Sequence, residues 1–91
     1  IKSPVLVTGQ ARGYWFFEAS FPVKVFDSAG KELGAGVAQA LSEWMTEDFV
    51  PFQTTVQFAK PTTQSGFLIL EKDNPSGLPE HDDQLQIPVR F

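Results

Sequence analysis

The segment Phe52-Gln53-Thr54-Thr55-Val56-Gln57-Phe58 alternates large apolar and polar side chains with a period of two. Successive side chains of an extended chain point to opposite faces. Phe52, Val56 and Phe58 therefore share a face with Thr54, while Gln53, Thr55 and Gln57 take the other. A helix has no use for that period, and a half-buried strand requires it. The pattern returns at the end of the chain, with Leu85, Ile87, Val89 and Phe91 on one face and Gln84, Gln86 and Arg90 on the other. Pro88 has no N–H to give to a ladder, so this last strand is expected to expose an edge.

Five further segments read as strands on weaker patterns. Residues 4–11 carry Val5 and Val7 on one face. Residues 15–20 and 22–27 read as one long strand bent at Pro22. Residues 31–40 are rich in Gly and Ala, which suits a strand closely approached by another backbone. Residues 65–72 contain Phe67-Leu68-Ile69-Leu70, apolar on both faces, as in a strand covered on both sides. Asp27-Ser28-Ala29-Gly30 has the Asp-first, Gly-last preference of a type I turn and predicts a hairpin, and Asp73-Asn74-Pro75-Ser76-Gly77 is a second dense turn signal. Seven strand-like segments at close spacing predict an all-β, immunoglobulin-like antiparallel β-sandwich of about seven strands. Residues 42–50 break the pattern and predict a short helical turn or an irregular crossover. Ser42 would cap such a turn, Glu43 would sit in its first turn, and Trp44 and Phe49 would plug the end of the sandwich.

Ninety-one residues make one domain over 1–91, and a chain of that length buries roughly two-thirds of its unfolded surface. With 42% hydrophobic residues, nine Phe and two Trp, its core is built from aromatic rings. The absence of Cys removes disulfides, thiolate nucleophiles and Cys-based zinc sites. The formal net charge is −4, and the seven Lys and Arg are scattered singly. Nucleic-acid binding needs a basic stripe to displace counterions, and an anionic membrane surface needs a polybasic segment; neither pattern is in the sequence. No apolar run approaches the ~20 residues that span a bilayer, so no direct membrane insertion by this segment is expected. The chain opens at Ile1 without Met or a signal-like segment, which reads as a piece of a longer or processed protein.

The residues that could carry chemistry are few. His81, the single histidine, sits in Glu80-His81-Asp82-Asp83, where consecutive side chains point to alternate sides; a solvated loop is the expectation. Calcium takes six to eight oxygens, and Asp73, Asn74, Glu80, Asp82 and Asp83 lie on one connection. Their spacing departs from the calcium-loop motif, so no metal or other cofactor is expected, with Asp73, Asp82 and Asp83 the candidates should calcium bind. Glu43 and Glu47 would neighbour each other on a helical turn, with Asp48 beside them, which brings the paired carboxylates of glycoside hydrolysis to mind. A domain this small, without a cleft-forming loop, carries such pairs as surface charge. No Gly-x-Ser-x-Gly elbow is present, and the chain reads as non-enzymatic.

Tyr14-Trp15-Phe16-Phe17 is the densest aromatic run. On a strand its neighbours would face opposite sides; if Phe17 points inward with Phe21, Phe16 faces outward, with Trp15 the other candidate for the inward face. Tyr14, Phe16, Trp44 and Phe49 are the candidate binding residues, because exposed rings stack on sugars or anchor a protein partner. The preferred reading, however, is that the 42–50 crossover covers Tyr14 and Phe16 with its Trp44 and Phe49.

Ser3-Pro4-Val5-Leu6-Val7-Thr8-Gly9-Gln10-Ala11, then Phe16-Phe17-Glu18-Ala19, the turn at Asp27 to Gly30, Trp44 leading to Pro51-Phe52, and Ile87-Pro88-Val89-Arg90-Phe91 form an ordered set of motifs. The set resembles the Gmad2 family, the immunoglobulin-like domain of bacterial spore germination and other envelope proteins. The resemblance implies a β-sandwich, an extracytoplasmic location in the bacterial cell envelope or outside the cell, and a role in binding or assembly at the surface. It implies no enzymatic activity and no defined ligand site, so it carries no functional residues onto this chain. The expected function is that of a non-catalytic binding or scaffolding module whose partner is another envelope protein or domain. The alternatives are a carbohydrate-binding module for cell-wall glycan and a calcium-dependent adhesive domain.

Overall fold

A computed structural model describes residues 1–73, 78, 80 and 82–91. The chain forms β1 (Val5–Arg12), a 3₁₀ turn (Gly13–Trp15), β2 (Ser20–Asp27), β3 (Glu32–Ala40), β4 (Phe49–Val56), β5 (Ser65–Glu71) and β6 (Gln84–Arg90). All pairings are antiparallel, and the six strands follow the order β1-β4-β3-β2-β5-β6 in one sheet. The sheet curls on itself into an immunoglobulin-like all-β domain with, among the described residues, one strand fewer than the seven expected.

The alternation read in the sequence is the alternation of burial. On β4, Val50, Phe52, Thr54 and Val56 are buried, whereas Phe49, Gln53 and Thr55 are exposed. On β2, Phe21, Val23, Val25 and Asp27 face inward at every second position. Phe21 is the hub: its ring meets Trp15, Phe16 and Phe52 edge-on, at centroid distances of 5.8, 5.1 and 4.9 Å. Edge-to-face contact sets the positive rim of one ring against the negative face of the next and adds about 0.5–1.5 kcal/mol per pair to burial.

The Asp27 turn joins β2 to β3 as its composition predicts. Gly30 N donates to Asp27 O at 3.1 Å, and the buried Asp27 carboxylate accepts from Ala29 N at 2.9 Å and Lys31 N at 2.8 Å. The glycine-rich β3 is approached by backbone as expected: a Cβ on Gly34 would lie 2.2 Å from the Gln57 carbonyl oxygen. β5 lies between β2 and β6. β6 ends the sheet, so Pro88, opposite Phe67, sits on an edge strand as predicted.

Two expectations are corrected. Residues 15–20 are not part of a bent strand. Trp15 closes the 3₁₀ turn, and Phe17 and Ser20 exchange backbone hydrogen bonds of 2.9 and 3.1 Å around Glu18 and Ala19. Those two residues have φ of 51° and 67°, the left-handed pair of a two-residue hairpin turn, which Asn-Gly normally signals. Residues 42–48 contain no helix. Within the stretch Thr46 N donates to Trp44 O, Asp48 O accepts from Gly13 N, and Leu41 N just before it donates to Pro51 O. The irregular crossover, the other form expected, is the one present. The turn expected at 73–77 falls on positions 74–77 outside the described residues.

Candidate functional site

The segments that carry the candidate rings meet at the end of the sheet where β1 leaves its ladder. Gly13 makes that convergence possible: a Cβ there would fall 1.8 Å from the Thr46 carbonyl oxygen and 2.4 Å from that of Trp44. Only a bare backbone lets the 3₁₀ turn seat against the crossover, and the Gly13 N–H donates to Asp48 O at 3.0 Å. On the other side, Asp73 N donates to Trp15 O at 2.9 Å. The turn carrying Tyr14 is thus held between the crossover and the chain leaving β5.

This arrangement brings together three of the four candidate residues. Tyr14 is 55% exposed and Phe49 57% exposed, while Trp44 is half-buried against the core. Phe16 is excluded by geometry: it is 4% exposed and packs on Phe21, and Phe17 is the ring that faces out. The 3₁₀ turn shifts the parity of the run by taking up residues without strand alternation, which inverts the facing expected for Phe16 and Phe17. Covering of Tyr14 by the crossover is likewise not what the chain does.

Each exposed ring carries a cation that the sequence did not point to. The Arg12 guanidinium lies 4.0 Å from the Phe49 centroid and also donates to Glu47 O at 3.3 Å. Lys72 Nζ lies 5.3 Å from the Tyr14 centroid. Such contacts are worth about 0.5–1 kcal/mol at exposed sites, and each takes up one face of its ring. Met45, 76% exposed beside Trp44, adds a flexible apolar contact. Its only signal in the sequence is its place in the irregular stretch.

The Glu43 and Asp48 carboxylates bond within the crossover itself. Glu43 Oε1 accepts from Met45 N at 3.0 Å, and Asp48 Oδ2 from Thr46 Oγ1 at 3.4 Å, so each serves its own loop. With no helix, Glu43 and Glu47 do not share a helical face. Among the described residues no three His, Cys, Asp or Glu are placed to hold a metal ion. Asp83 instead bonds locally, its Oδ1 accepting from Gln84 N at 2.8 Å. His81 and Asn74 lie outside the described residues. No helix among the described residues is long and apolar enough to cross a membrane.

A second feature borders this end. β1 and β6, the two outer strands, flank an apolar groove of about 450 Å³ floored by Val7, Phe21, Phe52 and Leu70 and walled by Leu85 and Ile87. Leu85 and Ile87 face the side that their alternation predicts, yet they remain 52% and 38% exposed because no strand among the described residues covers them.

A curled, antiparallel, nearly helix-free sheet with an aromatic core defines an immunoglobulin-like domain, a class that is generally non-catalytic. Residues 1–77 match the Gmad2 family, the immunoglobulin-like domain of bacterial spore germination. The chain belongs to that family. No curated protein and no solved structure matches it.

Proposed function

We propose that the chain is a non-catalytic binding or scaffolding module of a bacterial cell-envelope protein, working outside the cytoplasm through contacts with another envelope protein or domain. The observation that carries this reading is that Tyr14, Met45 and Phe49 stand exposed on the 3₁₀ turn, the crossover and the start of β4, segments joined through Gly13 at the end of the sheet. Aromatic and Met side chains with a nearby Arg are the composition of protein-contact hot spots. The cations over Tyr14 and Phe49 take up one face of each ring, which leaves less of it for a sugar to stack on and supports a protein partner over glycan.

The test compares wild-type chain with Tyr14→Ala and Phe49→Ala in pull-downs from envelope extract, with circular dichroism as the fold control. Loss of a specific captured protein in both variants, at unchanged spectrum, supports the reading. Quenching of Trp emission by cell-wall glycan fragments, with capture unaffected by either substitution, replaces it with carbohydrate binding.

A further inference from the structure

The groove between β1 and β6 has a property that a ligand pocket lacks: two of its walls are sheet edges. β1 and β6 end the strand order, so each has one edge unpaired among the described residues. The successive antiparallel pairings make β1 and β6 run opposite ways across the groove. They meet at one end, where Ile1 N donates to Arg90 O. Beyond that contact the groove opens between residues 7–12 and 83–87.

Which backbone groups are free follows from the bonds that extend each ladder. Gly13 N donates to Asp48 O and Phe91 N to Gln64 O. In an antiparallel pair alternate residues turn their N–H and C=O to the neighbour, so odd-numbered residues of β1 and β6 serve β4 and β5. Leu6, Thr8 and Gln10 on β1, and Gln84 and Gln86 on β6, therefore turn theirs to the open edge. Pro88 and the Arg90 carbonyl that meets Ile1 obey the same parity. β1 offers the longer run, since no proline interrupts residues 5–12.

Charge runs lengthwise. At the closed end lie Lys2 and Lys60, which line one hollow with Phe91, and Arg90; residues 1–5, 57–65 and 88–91 contain no acid. At the open end Asp82 and Asp83 line a hollow with Glu71 and Lys72, while Arg12, also on the groove, lies over the Phe49 ring and donates to Glu47 O. A helix satisfies its own backbone and a small apolar ligand has none, so neither meets the free edges. An extended segment meets them while filling the groove with alternate side chains.

We infer that the groove accepts an extended segment of a partner protein as an added strand, antiparallel to β1, with alternating apolar residues, a basic N-terminal end beside Asp82 and Asp83 and an acidic C-terminal end beside Lys2, Lys60 and Arg90. The groove shares Arg12 and Phe49 with the contact surface proposed above but not Tyr14, Trp44 or Met45, so Tyr14→Ala distinguishes failure of one reading from failure of the other.

The test uses the 91-residue chain and a blocked peptide reading Lys-Lys-Val-Thr-Val-Thr-Val-Glu-Glu, against its charge-reversed counterpart Glu-Glu-Val-Thr-Val-Thr-Val-Lys-Lys. Amide exchange followed by NMR is expected to slow about tenfold or more at Leu6, Thr8 and Gln10 with the first peptide, and the reversed peptide is expected to bind less tightly. Thr8→Pro removes an edge N–H that no ladder uses, and Leu85→Lys places a charge in the groove at a half-exposed position. Each should weaken the peptide about tenfold, equivalent to 1.4 kcal/mol. If Thr8→Pro fails to fold, Leu85→Lys carries the comparison, and Tyr14→Ala should leave peptide binding unchanged. Unslowed exchange at the three amides, or equal affinity for both peptides, overturns the inference. So does slowing that appears without peptide as protein concentration rises, with a dimer in sedimentation, because the occupant is then a second copy.

Discussion

Replacing Phe16 and Phe17 one at a time separates two side chains that the sequence places side by side. Phe16 is 4% exposed with its ring 5.1 Å from Phe21, and Phe17 is 44% exposed. Phe16→Ala removes a buried ring, leaves a cavity beside Phe21 and ends one edge-to-face contact, a loss of about 3–5 kcal/mol. A domain of this size has a total stability of about 5–14 kcal/mol, so the variant sits near the margin of folding. Phe17→Ala gives up the burial of roughly half a ring and leaves no enclosed cavity, so it loses about 1 kcal/mol. At about 4–8 °C per kcal/mol for a domain of this length, the melting temperature should fall by more than about 12 °C for Phe16→Ala and by less than about 8 °C for Phe17→Ala. Urea titration followed by Trp fluorescence measures the same contrast, since Trp15 packs 5.8 Å from Phe21. Phe16→Leu, which keeps apolar volume but ends the ring contact, should fall between the two. Equal losses for the two Ala variants, or a larger loss for Phe17→Ala, would refute the assignment of Phe16 to the core and with it the exclusion of that ring from the contact surface.

Two further predictions test the turns. Asp27→Ala deletes the acceptor for Ala29 N and Lys31 N within a buried turn, and should lower stability by about 2 kcal/mol in urea unfolding; a change below about 0.5 kcal/mol would mean that those amides are served otherwise. Ala19→Gly relieves a left-handed φ of 67° and should raise stability by about 0.5–1 kcal/mol, less than the full left-handed penalty because glycine also loosens the unfolded chain; a lower melting temperature would contradict the hairpin geometry.

What was legible in the sequence was legible for local reasons. The β4 segment has one apolar and one polar face, and a strand in any curled sheet buries the first, so Phe52, Thr54 and Val56 had one available orientation. The Asp27 turn closes through its own carboxylate, a bond that needs no distant partner. The run from Tyr14 to Ser20 resisted reading because its conformation is set from outside. Gly13 is docked against the Trp44 and Thr46 carbonyls, and Glu18 and Ala19 adopt left-handed φ without the residues that favour it. One turn of 3₁₀ helix then reversed which of Phe16 and Phe17 faces the core. The crossover was legible as irregular but not in detail, because its carbonyls and amides bond to Gly13 and Pro51 rather than along a helix.

By itself the sequence determined an all-β domain with an aromatic core, an edge at Pro88, a hairpin at Asp27 and membership of a family, since each depends on side-chain periodicity, turn chemistry or an ordered set of motifs. The tertiary structure alone decided which rings stand exposed, that Arg12 and Lys72 lie over two of them, and that β1 and β6 leave an apolar groove between open edges. Those features join residues as distant as Val7 and Ile87, or Arg12 and Phe49. Periodicity fixes the face on which a side chain lies, whereas strand order and curl fix what, if anything, covers it.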